Sequence, residues 1–281
     1  MEIRIENLTY VYEMPSAAPV PAISNVWAVI PSQSIAAVVG ATGSGKTTLV
    51  QHFNGLLVPS RGRVVVGPLD LSLPEHCRAA RHRVGLVFQF PEIQLFEETV
   101  YKDVAFGPRN LGLSEPEVET RFHESMAMVG LDPGRYRRMS PFHLSGGEKR
   151  RAAIAGILAM EPDVLVLDEP FVGLDLRGTR LIEKVIRQYR EKGRTVVFVS
   201  HDMDLAARLA DKFLVLDQGR LVYSGPGSGL FSDTAVLDAA GLELPRVCRV
   251  MEEFRKQGYQ VRTDILTVEG AKQELARSIA E

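Results

Sequence analysis

The segment GATGSGKT at 40–47 constrains the fold of this chain more than any other part of the sequence. It directly follows IAAVV at 35–39, a continuous apolar run that is typical of a strand buried on both faces. A helical pattern follows it and ends at Gly55. A buried strand, a glycine-rich loop and a helix in this order build a phosphate-binding loop, because backbone N–H groups and the helix N-terminus point at the phosphates. We therefore predict an α/β fold with a phosphate-binding loop, or P-loop.

The residue types in this loop match the needs of a nucleoside triphosphate and its metal ion. Glycines at 40, 43 and 45 allow the backbone to surround the β and γ phosphates, Lys46 adds a positive charge, and the Thr47 hydroxyl can ligate magnesium. A glycine-rich turn with a chance lysine is the alternative, but it does not account for the flanking strand and helix. The predicted ATP-binding residues of the loop are Gly40, Ala41, Thr42, Gly43, Ser44, Gly45, Lys46, Thr47 and Thr48.

Four further apolar runs predict a mainly parallel sheet with helices between its strands. They are VGLVF at 84–88, VLVL at 164–167, TVVFV at 195–199 and FLVL at 213–216. The segment 3–30 instead alternates between polar and apolar residues, which predicts a small antiparallel sheet. A helical subdomain is expected at about 90–160. Within it, Ser114 and Glu117 can form a capping box, and a helical pattern follows them. Two amphipathic helices are expected in a tail at 226–281, which leaves 1–225 as the main domain.

The segment VLVLDEP at 164–170 places two adjacent carboxylates at the end of a buried strand. In open α/β sheets, ligands bind at the carboxyl ends of the strands. Asp168 can hold magnesium through water, and Glu169 can polarise the water that attacks the γ phosphate. An acidic pair exposed to solvent is the alternative, and the P-loop earlier in the chain argues against it.

A second glycine-containing segment, LSGGE at 144–148, precedes a predicted helix at 149–160 and has no lysine. Ser145 and the N–H groups of Gly146 and Gly147 can hold phosphate together with the positive end of that helix. Taken alone, the segment is an ordinary helix N-cap. Its interpretation therefore depends on the motifs that accompany it.

The motifs follow one another in a fixed order: the P-loop, Gln89 after VGLVF, LSGGE, VLVLDEP, GLD at 173–175 and His201 after TVVFVS. With this order the chain resembles the ATP-binding cassette ATPases over about residues 1–225. The resemblance implies a P-loop NTPase (RecA-like) fold with an N-terminal antiparallel β subdomain and a helical signature subdomain. It also implies that ATP and Mg²⁺ are bound, and that two cassettes face each other head to tail. The LSGGE loop then acts on the ATP held by the partner subunit.

The same resemblance implies catalytic roles for residues of this sequence. Glu169 is the implied general base, His201 the implied contact of the γ phosphate, and Gln89 the implied sensor of metal and water. The implied metal site consists of Thr47, Gln89 and Asp168. Two alternatives remain: Gln89 as a surface turn residue, and His201 as a cap of the helix that begins after it.

Other implied roles concern adenine and the partner subunit. Tyr12 is expected to stack on adenine, although Tyr10 is a competing candidate. Asp175 is expected at the dimer interface. The signature loop expected to act on the partner's ATP consists of Ser145, Gly146, Gly147 and Glu148.

Two longer segments narrow the resemblance. FQFPEIQLFEETVYKDVAFGPRN at 88–110 and PFHLSGGEKRRAAIAGILAMEPD at 141–163 are similar to the A-component ATPases of energy-coupling factor transporters, the CbiO-like group. This implies an ATPase that powers uptake of a vitamin or a transition-metal ion through an integral membrane coupling subunit and a substrate-binding membrane subunit. The C-terminal helical extension then supports dimer contact. Two departures concern the subtype: FVGLDLRG replaces the commoner TAGLDP, and the turn at 14–22 is rich in Pro and Ala.

The resemblance also places the contact with the membrane subunit at 90–100. The resemblance implies that an apolar groove there receives a helix that carries arginines, and carboxylates beside the groove can bind guanidinium groups bidentately. The expected groove residues are the apolar Phe90, Leu95 and Phe96 and the acidic Glu92, Glu97 and Glu98. A solvated acidic loop is the alternative.

Composition limits the remaining function classes. The 33 basic and 35 acidic residues are interspersed and give a net charge of −2, so we expect no nucleic-acid partner. No apolar run approaches the length of a membrane span, and the two cysteines form no metal-binding or disulfide pattern. We expect a peripheral protein at the cytoplasmic face of the cell membrane. A non-transport ABC ATPase and a silent nucleotide-binding module are the alternatives, and homodimer and heterodimer both remain open.

Overall fold

The computed structural model describes residues 1–12, 20–232 and 234–280, which form two sheets with flanking helices. Most of the expected turn at 14–22 lies outside these residues. The strands are β1 (Ile3–Val11), β2 (Pro21–Ile30), β3 (Ile35–Val39), β4 (Arg61–Val66), β5 (Leu69–Asp70), β6 (Val84–Val87), β7 (Val164–Asp168), β8 (Thr195–Val199), β9 (Lys212–Asp217) and β10 (Arg220–Gly225). The helices are α1 (Lys46–Gln51), α2 (Pro74–Arg83), α3 (Val100–Asn110), α4 (Glu115–Met128), α5 (Pro133–Tyr136), α6 (Gly146–Leu158), α7 (Leu176–Glu191), α8 (Met203–Leu209), α9 (Gly227–Ser232), α10 (Thr234–Ala239), α11 (Arg246–Lys256) and α12 (Val268–Ala280).

The larger sheet has the strand order β10-β9-β3-β8-β7-β6. Its strands run parallel except for the edge strand β10, which pairs antiparallel with β9. All residues of β3, β6, β7 and β8 are buried, as expected for strands covered on both faces. The predicted mainly parallel sheet is therefore confirmed. Because β3, β8 and β7 are neighbours, the loops that follow them meet at one edge of the sheet.

The smaller sheet is antiparallel, with the order β2-β1-β4-β5, and confirms the predicted N-terminal β subdomain. Its strands β4 and β5 were not expected from the sequence. The first half of β4 is exposed and charged, and only Val64–Val66 is buried. This apolar stretch is too short to predict a strand by its pattern alone.

Helices α3 to α6 form the predicted helical subdomain. The expected capping box between Ser114 and Glu117 begins α4, whose Val118 and Phe122 are buried. Helix α6 begins at Gly146, earlier than the expected start at 149, because Ser145 provides a second capping box. The glycine pair therefore lies in the first turn of a helix.

The tail contains the two expected helices, α11 and α12, and two additional short ones, α9 and α10. Leu230, Phe231 and Leu237 of the short helices are buried in the same hydrophobic cluster as Phe213 of β9. The tail thus begins inside the main core, and the division after 225 stays a prediction about domain organisation. Ile279, which belongs to the expected apolar face of the last helix, lies outside the side chains that are described. No described helix is both long enough and apolar enough to cross a membrane.

Candidate functional site

The P-loop connects β3 to α1, and close contacts require glycine at two of its positions. A Cβ on Gly40 would lie 2.2 Å from the carbonyl oxygen of Leu216. Gly45 precedes α1 with a φ of 101°, and a Cβ there would lie 2.7 Å from the carbonyl oxygen of Ala22. Glycine therefore lets the loop backbone lie directly against the neighbouring strands.

Lys46 is buried and folds back onto the loop that precedes it. Its Nζ donates hydrogen bonds to the carbonyl oxygens of Gly40 and Ala41, both at 2.9 Å. Burial lowers the pKa of Lys46, and the carboxylates of Glu169 and Asp168 oppose that shift. The ammonium group thus lies within electrostatic reach of the two acidic residues at the end of β7.

Thr47 and Asp168 join α1 to β7. Thr47 Oγ1 donates to Asp168 Oδ2 at 2.8 Å. Asp168 is buried, burial raises its pKa, and its Oδ1 has no hydrogen-bond partner among the described residues. An unpaired carboxylate oxygen beside a threonine hydroxyl fits Mg²⁺, which prefers hard oxygen ligands. Since the described residues contain no cluster of three or more His, Cys, Asp or Glu side chains that could hold a metal ion, such an ion would also need oxygens from the nucleotide and from water.

Glu169 and His201 come together because β7 and β8 are neighbours in the sheet. His201 Nδ1 lies 3.1 Å from Glu169 Oε2. Glu169 has a φ of 48°, a left-handed conformation that is uncommon for a residue other than glycine and often occurs at functional sites. The alternative of His201 as a helix cap is wrong, because Asp202 caps α8 by accepting a hydrogen bond from the Leu205 N–H at 3.0 Å.

Arg150, which the sequence interpretation missed, contacts two loops of this site. Only 6% of the residue is exposed. Its guanidinium donates to the carbonyl oxygens of Gln89 at 3.2 Å, of Glu169 at 3.0 Å, and of Val172. In the sequence Arg150 belongs to the basic run KRR at 149–151, which is usually a solvated face. The available signal was helical spacing, since Arg150 lies four residues before the buried Ile154.

The signature loop lies at the N-terminal end of α6. The P-loop lies at the N-terminal end of a different helix, α1. Ser145 and Glu148 form a capping box, in which the Ser145 N–H donates to the Glu148 carboxylate at 2.9 Å. Tyr136 also donates to Glu148 and is the main cause that lowers the pKa of Glu148 to about 2. A Cβ on Gly146 or Gly147 would meet no atom within 4 Å. The space beside the glycine pair is therefore open.

The two candidate adenine contacts differ in exposure. Tyr12 is 42% exposed, and its hydroxyl lies 3.1 Å from Thr48 Oγ1 of the P-loop helix. Tyr10 is partly buried against the core, and its ring centroid lies 4.9 Å from that of His52. The more accessible ring beside the P-loop is therefore that of Tyr12, and its contact with adenine stays a prediction.

Gln89 and Asp175 lie in loops next to these groups. Gln89 is exposed and follows β6, and its backbone carbonyl accepts the hydrogen bond from Arg150. Asp175 caps α7 by accepting a hydrogen bond from the Gly178 N–H at 2.7 Å. Both residues thus have a role within their own chain, and their roles toward metal and partner stay predictions.

A largely apolar groove lies between the segment 94–96 and helices α3 and α6. The expected Leu95 and Phe96 line it, whereas Phe90 does not. Other apolar lining residues are Phe106, Ala153, Ile157 and Met160. The rings of Phe96 and Phe106 are exposed and pack edge to face, with 5.0 Å between their centroids.

The expected acidic residues of this groove need correction. The carboxylate that lines it is Asp103, which accepts hydrogen bonds from the N–H groups of Phe96 and Glu97, both at 3.2 Å. Glu98 instead pairs with Lys102 on the surface. The Oε2 of Glu92 is buried without a hydrogen-bond partner among the described residues. Local hydrogen bonds rather than charge alone decide which carboxylate faces the groove.

Residues 23–172 match the family model described as ABC transporter. Relatives align over nearly the whole chain. The energy-coupling factor transporter ATP-binding protein EcfA2 of Clostridium tetani is 45% identical over 99% of this chain and 97% of its own length. The protein of the same name from Symbiobacterium thermophilum is 46% identical over 96% of this chain and 94% of its own length.

Solved structures share the fold. The cbiO1 protein of Clostridium perfringens, part of the ABC transporter complex cbiONQ, has a TM-score of 0.72 at 34% identity and covers 89% of this chain and 98% of that chain. The ATP-binding cassette MJ0796, in a dimeric post-hydrolysis state bound to ADP and Pi, has a TM-score of 0.73 at 26% identity and covers 80% of this chain and 98% of that chain. Sequence and fold thus agree over most of the chain.

Proposed function

This chain belongs to the ABC transporter family, among the energy-coupling factor ATP-binding proteins, and on that premise we propose which of its residues act in ATP hydrolysis and in assembly. It hydrolyses ATP to ADP and phosphate, and this reaction powers transport through membrane subunits. We propose that the transported substrate is a vitamin or a transition-metal ion. The proposals below assign the base, the phosphate and metal ligands, the partner cassette and the membrane contact.

We propose that Glu169 is the general base. The observation that carries this proposal is the position of its carboxylate, 3.1 Å from His201 Nδ1 and near Lys46. Glu169 accepts a proton from water while the water oxygen bonds to the γ phosphorus and the bond from that phosphorus to the ADP oxygen breaks. His201 holds the carboxylate in position and contacts the γ phosphate.

The other P-loop residues bind the triphosphate in this proposal. Lys46 moves its hydrogen bonds from the carbonyls of the loop to the β and γ phosphates, and Tyr12 stacks on adenine. Thr47, Asp168 and Gln89 would hold Mg²⁺, Thr47 with its Oγ1 and Asp168 with its unpaired Oδ1 through water. When bound, Mg²⁺ neutralises charge that develops on the phosphate oxygens.

We propose that the signature loop binds the γ phosphate of ATP held by a second ATPase subunit, either a copy of this chain or a related cassette. Gly146 and Gly147 support this, because neither has a positive φ and neither is crowded by its own chain. Glycine in a helix costs about 0.5–1 kcal/mol relative to alanine. Since the chain's own structure does not require glycine here, close approach of another molecule explains it. Asp175 lies at the same dimer interface.

We propose that the apolar groove contacts an integral membrane coupling subunit. A substrate-binding membrane subunit is bound to that coupling subunit. The exposed aromatic pair Phe96 and Phe106 supports this, because contiguous exposed apolar surface is characteristic of binding sites. Asp103 provides a carboxylate at the same place for a basic residue of the incoming helix. This contact holds the chain at the cytoplasmic face of the membrane.

The substitution Glu169→Gln in the assembled transporter tests the general base. Glutamine has nearly the same shape but cannot accept the proton, so we expect hydrolysis to slow about 10²–10⁴-fold. ATP affinity should stay unchanged, because the phosphate contacts of the P-loop remain. Phosphate release gives the rate, and calorimetric titration gives the affinity.

The matched control is Glu183→Gln, which removes a carboxylate that pairs with Arg208 on the surface. This control should hydrolyse ATP at the parental rate. If Glu169→Gln also did so, the assignment of the base would be wrong.

A further inference from the structure

The buried guanidinium of Arg150 connects two loops, the one after β6 and the one after β7, that the proposed catalytic roles treat separately. Its Nη2 donates to the carbonyl oxygens of Gln89 and Glu169, and its Nη1 donates to that of Val172. A guanidinium is a planar fork whose donors have fixed relative directions. The three carbonyls are therefore held at fixed positions relative to one another, and one of them belongs to the backbone of Glu169.

Arg150 also lies on α6, one turn after the glycine pair of the signature loop. Because a hydrogen-bonded helix moves as a rigid element, a shift of its first turn also displaces Arg150. On the other side, Gln89 leads into the segment that reaches Leu95 and Phe96 in the groove. One side chain thus contacts the backbone of the base, belongs to the helix that begins with the signature loop, and contacts the segment that leads to the groove.

Two polar groups beside these contacts are not satisfied. Nε of Arg150 and Oε2 of Glu92 are buried and have no hydrogen-bond partner among the described residues. Burial lowers the pKa of Arg150, and the negative charge of Glu92 opposes this shift. Glu92 lies in a 3₁₀ turn, Pro91–Gln94, which packs against α6. Unsatisfied buried groups cost free energy. A movement of this turn toward Arg150 would therefore be favoured, because Glu92 and Arg150 could then form a new contact.

We propose that Arg150 is a positioning residue for Glu169, and that it links the position of the base to α6 and to the segment 89–95. The inference rests on the proposed role of Glu169 as general base. Arg150 does not contact the reacting atoms but acts through the backbone carbonyl from which Glu169 extends. A misplacement of about 1 Å in a catalytic group can cost about 10²-fold in rate. ATP affinity depends on the P-loop and is not affected.

The substitution Arg150→Lys tests this inference in the full-length protein with its cassette partner. Lysine keeps the charge but loses the planar fork, so it cannot hold all three carbonyls. We expect kcat to fall about 10- to 100-fold, with KM for ATP within about twofold of the parent. The matched control is Arg187→Lys, since Arg187 donates to one carbonyl, that of Arg208, on the exposed side of α7. This control should keep the parental kcat.

Hydrogen exchange gives a readout that does not depend on activity. Without nucleotide, the backbone N–H groups of 89–90 and of 169 and 171–173 should exchange faster in Arg150→Lys than in the parent, because both loops lose the same support. Unchanged exchange in both loops, or a kcat equal to that of the parent, would overturn the inference. A rise in KM in proportion to the loss of kcat would also do so.

A double substitution separates this inference from the proposed role of Glu169. If Arg150 acts through Glu169, adding Arg150→Lys to Glu169→Gln should lower the residual rate by less than about twofold. A parental rate for Glu169→Gln alone would remove the proposed base. The other outcome is that Glu169→Gln is slow and that adding Arg150→Lys lowers its rate by the same factor as in the parent. This outcome would keep Glu169 as the base and overturn the positioning role.

Circular dichroism and thermal melting establish that Arg150→Lys is folded. If it is not, Glu92→Gln serves instead, because it removes the charge that faces Arg150 and leaves the three carbonyl contacts intact. We then expect a smaller loss of kcat that is again absent in the Glu169→Gln background. Parental kcat together with parental exchange at 169–173 would overturn the link between the segment and the base.

Discussion

At the scale of single residues, glycines serve two different purposes in this chain. Gly40 and Gly45 are required by the chain itself, because a Cβ at either position would collide with a neighbouring backbone carbonyl. Gly146 and Gly147 have open space around them and lie in the first turn of a helix, where alanine is the better residue. The first pair is therefore required by the fold of the chain. The second pair is explained by the close approach of another molecule.

The substitution Gly147→Ala tests this difference. Alanine in a helical position should maintain the folding stability or raise it by about 0.5–1 kcal/mol. The added methyl group would occupy the space proposed for the partner's γ phosphate, so ATPase activity of the assembled dimer should fall about tenfold, as expected for an overpacking cost of about 1–3 kcal/mol. Thermal melting and phosphate release measure the two effects in one preparation.

The contrasting variant is Gly40→Ala, which should lower the melting temperature because its Cβ would lie 2.2 Å from the Leu216 carbonyl oxygen. Parental ATPase activity in Gly147→Ala would show that the open space is not used by a partner's ATP.

The sequence predicted the residues that stand in short motifs and missed those that act through tertiary contacts. The positions of Lys46, Asp168 and Glu169 are predictable because strand, loop and helix patterns fix them. Arg150 was missed because its three acceptors are backbone carbonyls from distant loops, which no spacing rule reveals. Asp103 was missed for a similar reason, since its position depends on two backbone N–H groups of the preceding loop.

At the scale of elements, continuous apolar runs predicted the central strands, whereas short or amphipathic elements were missed. Strand β10 alternates between exposed and partly buried residues along an edge, and β5 has two residues. Helices α9 and α10 have six residues each, too few to be stable alone. Their stability comes from packing on neighbouring elements, which a local pattern does not show.

Two truncations test how far the tail belongs to the core. Ending the chain after Gly225 removes Leu230, Phe231 and Leu237, and burial of each such side chain contributes about 1.5–3 kcal/mol. We expect this protein to unfold at much lower urea concentration or to fail to fold. Ending it after Gly258 removes α12 but keeps α9 to α11, and should cost far less. Equal denaturation midpoints would show that the core does not need the short helices.

At the scale of the whole molecule, α6 joins the surfaces that the proposed function requires. Its 13 residues begin with the glycine pair offered to a partner's ATP. One turn later Arg150 contacts the backbone of the base. Further along, Ala153 and Ile157 line the groove proposed for the membrane subunit. A rigid-body movement of this one helix therefore changes the partner contact, the position of the base and the shape of the groove together.

The combined substitution of Phe96→Ser and Phe106→Ser tests the groove as the membrane contact. The two residues are 59% and 45% exposed, so their replacement should change folding stability little. Assembly with the membrane subunits should be lost, because the aromatic pair provides apolar surface for the incoming helix, whereas ATP affinity should stay at the parental value. The control is Trp27→Ser on β2, which removes an aromatic residue of similar exposure, 58%, from the N-terminal sheet. Co-purification of the double variant with membrane subunits at parental stoichiometry, with transport intact, would place the contact elsewhere.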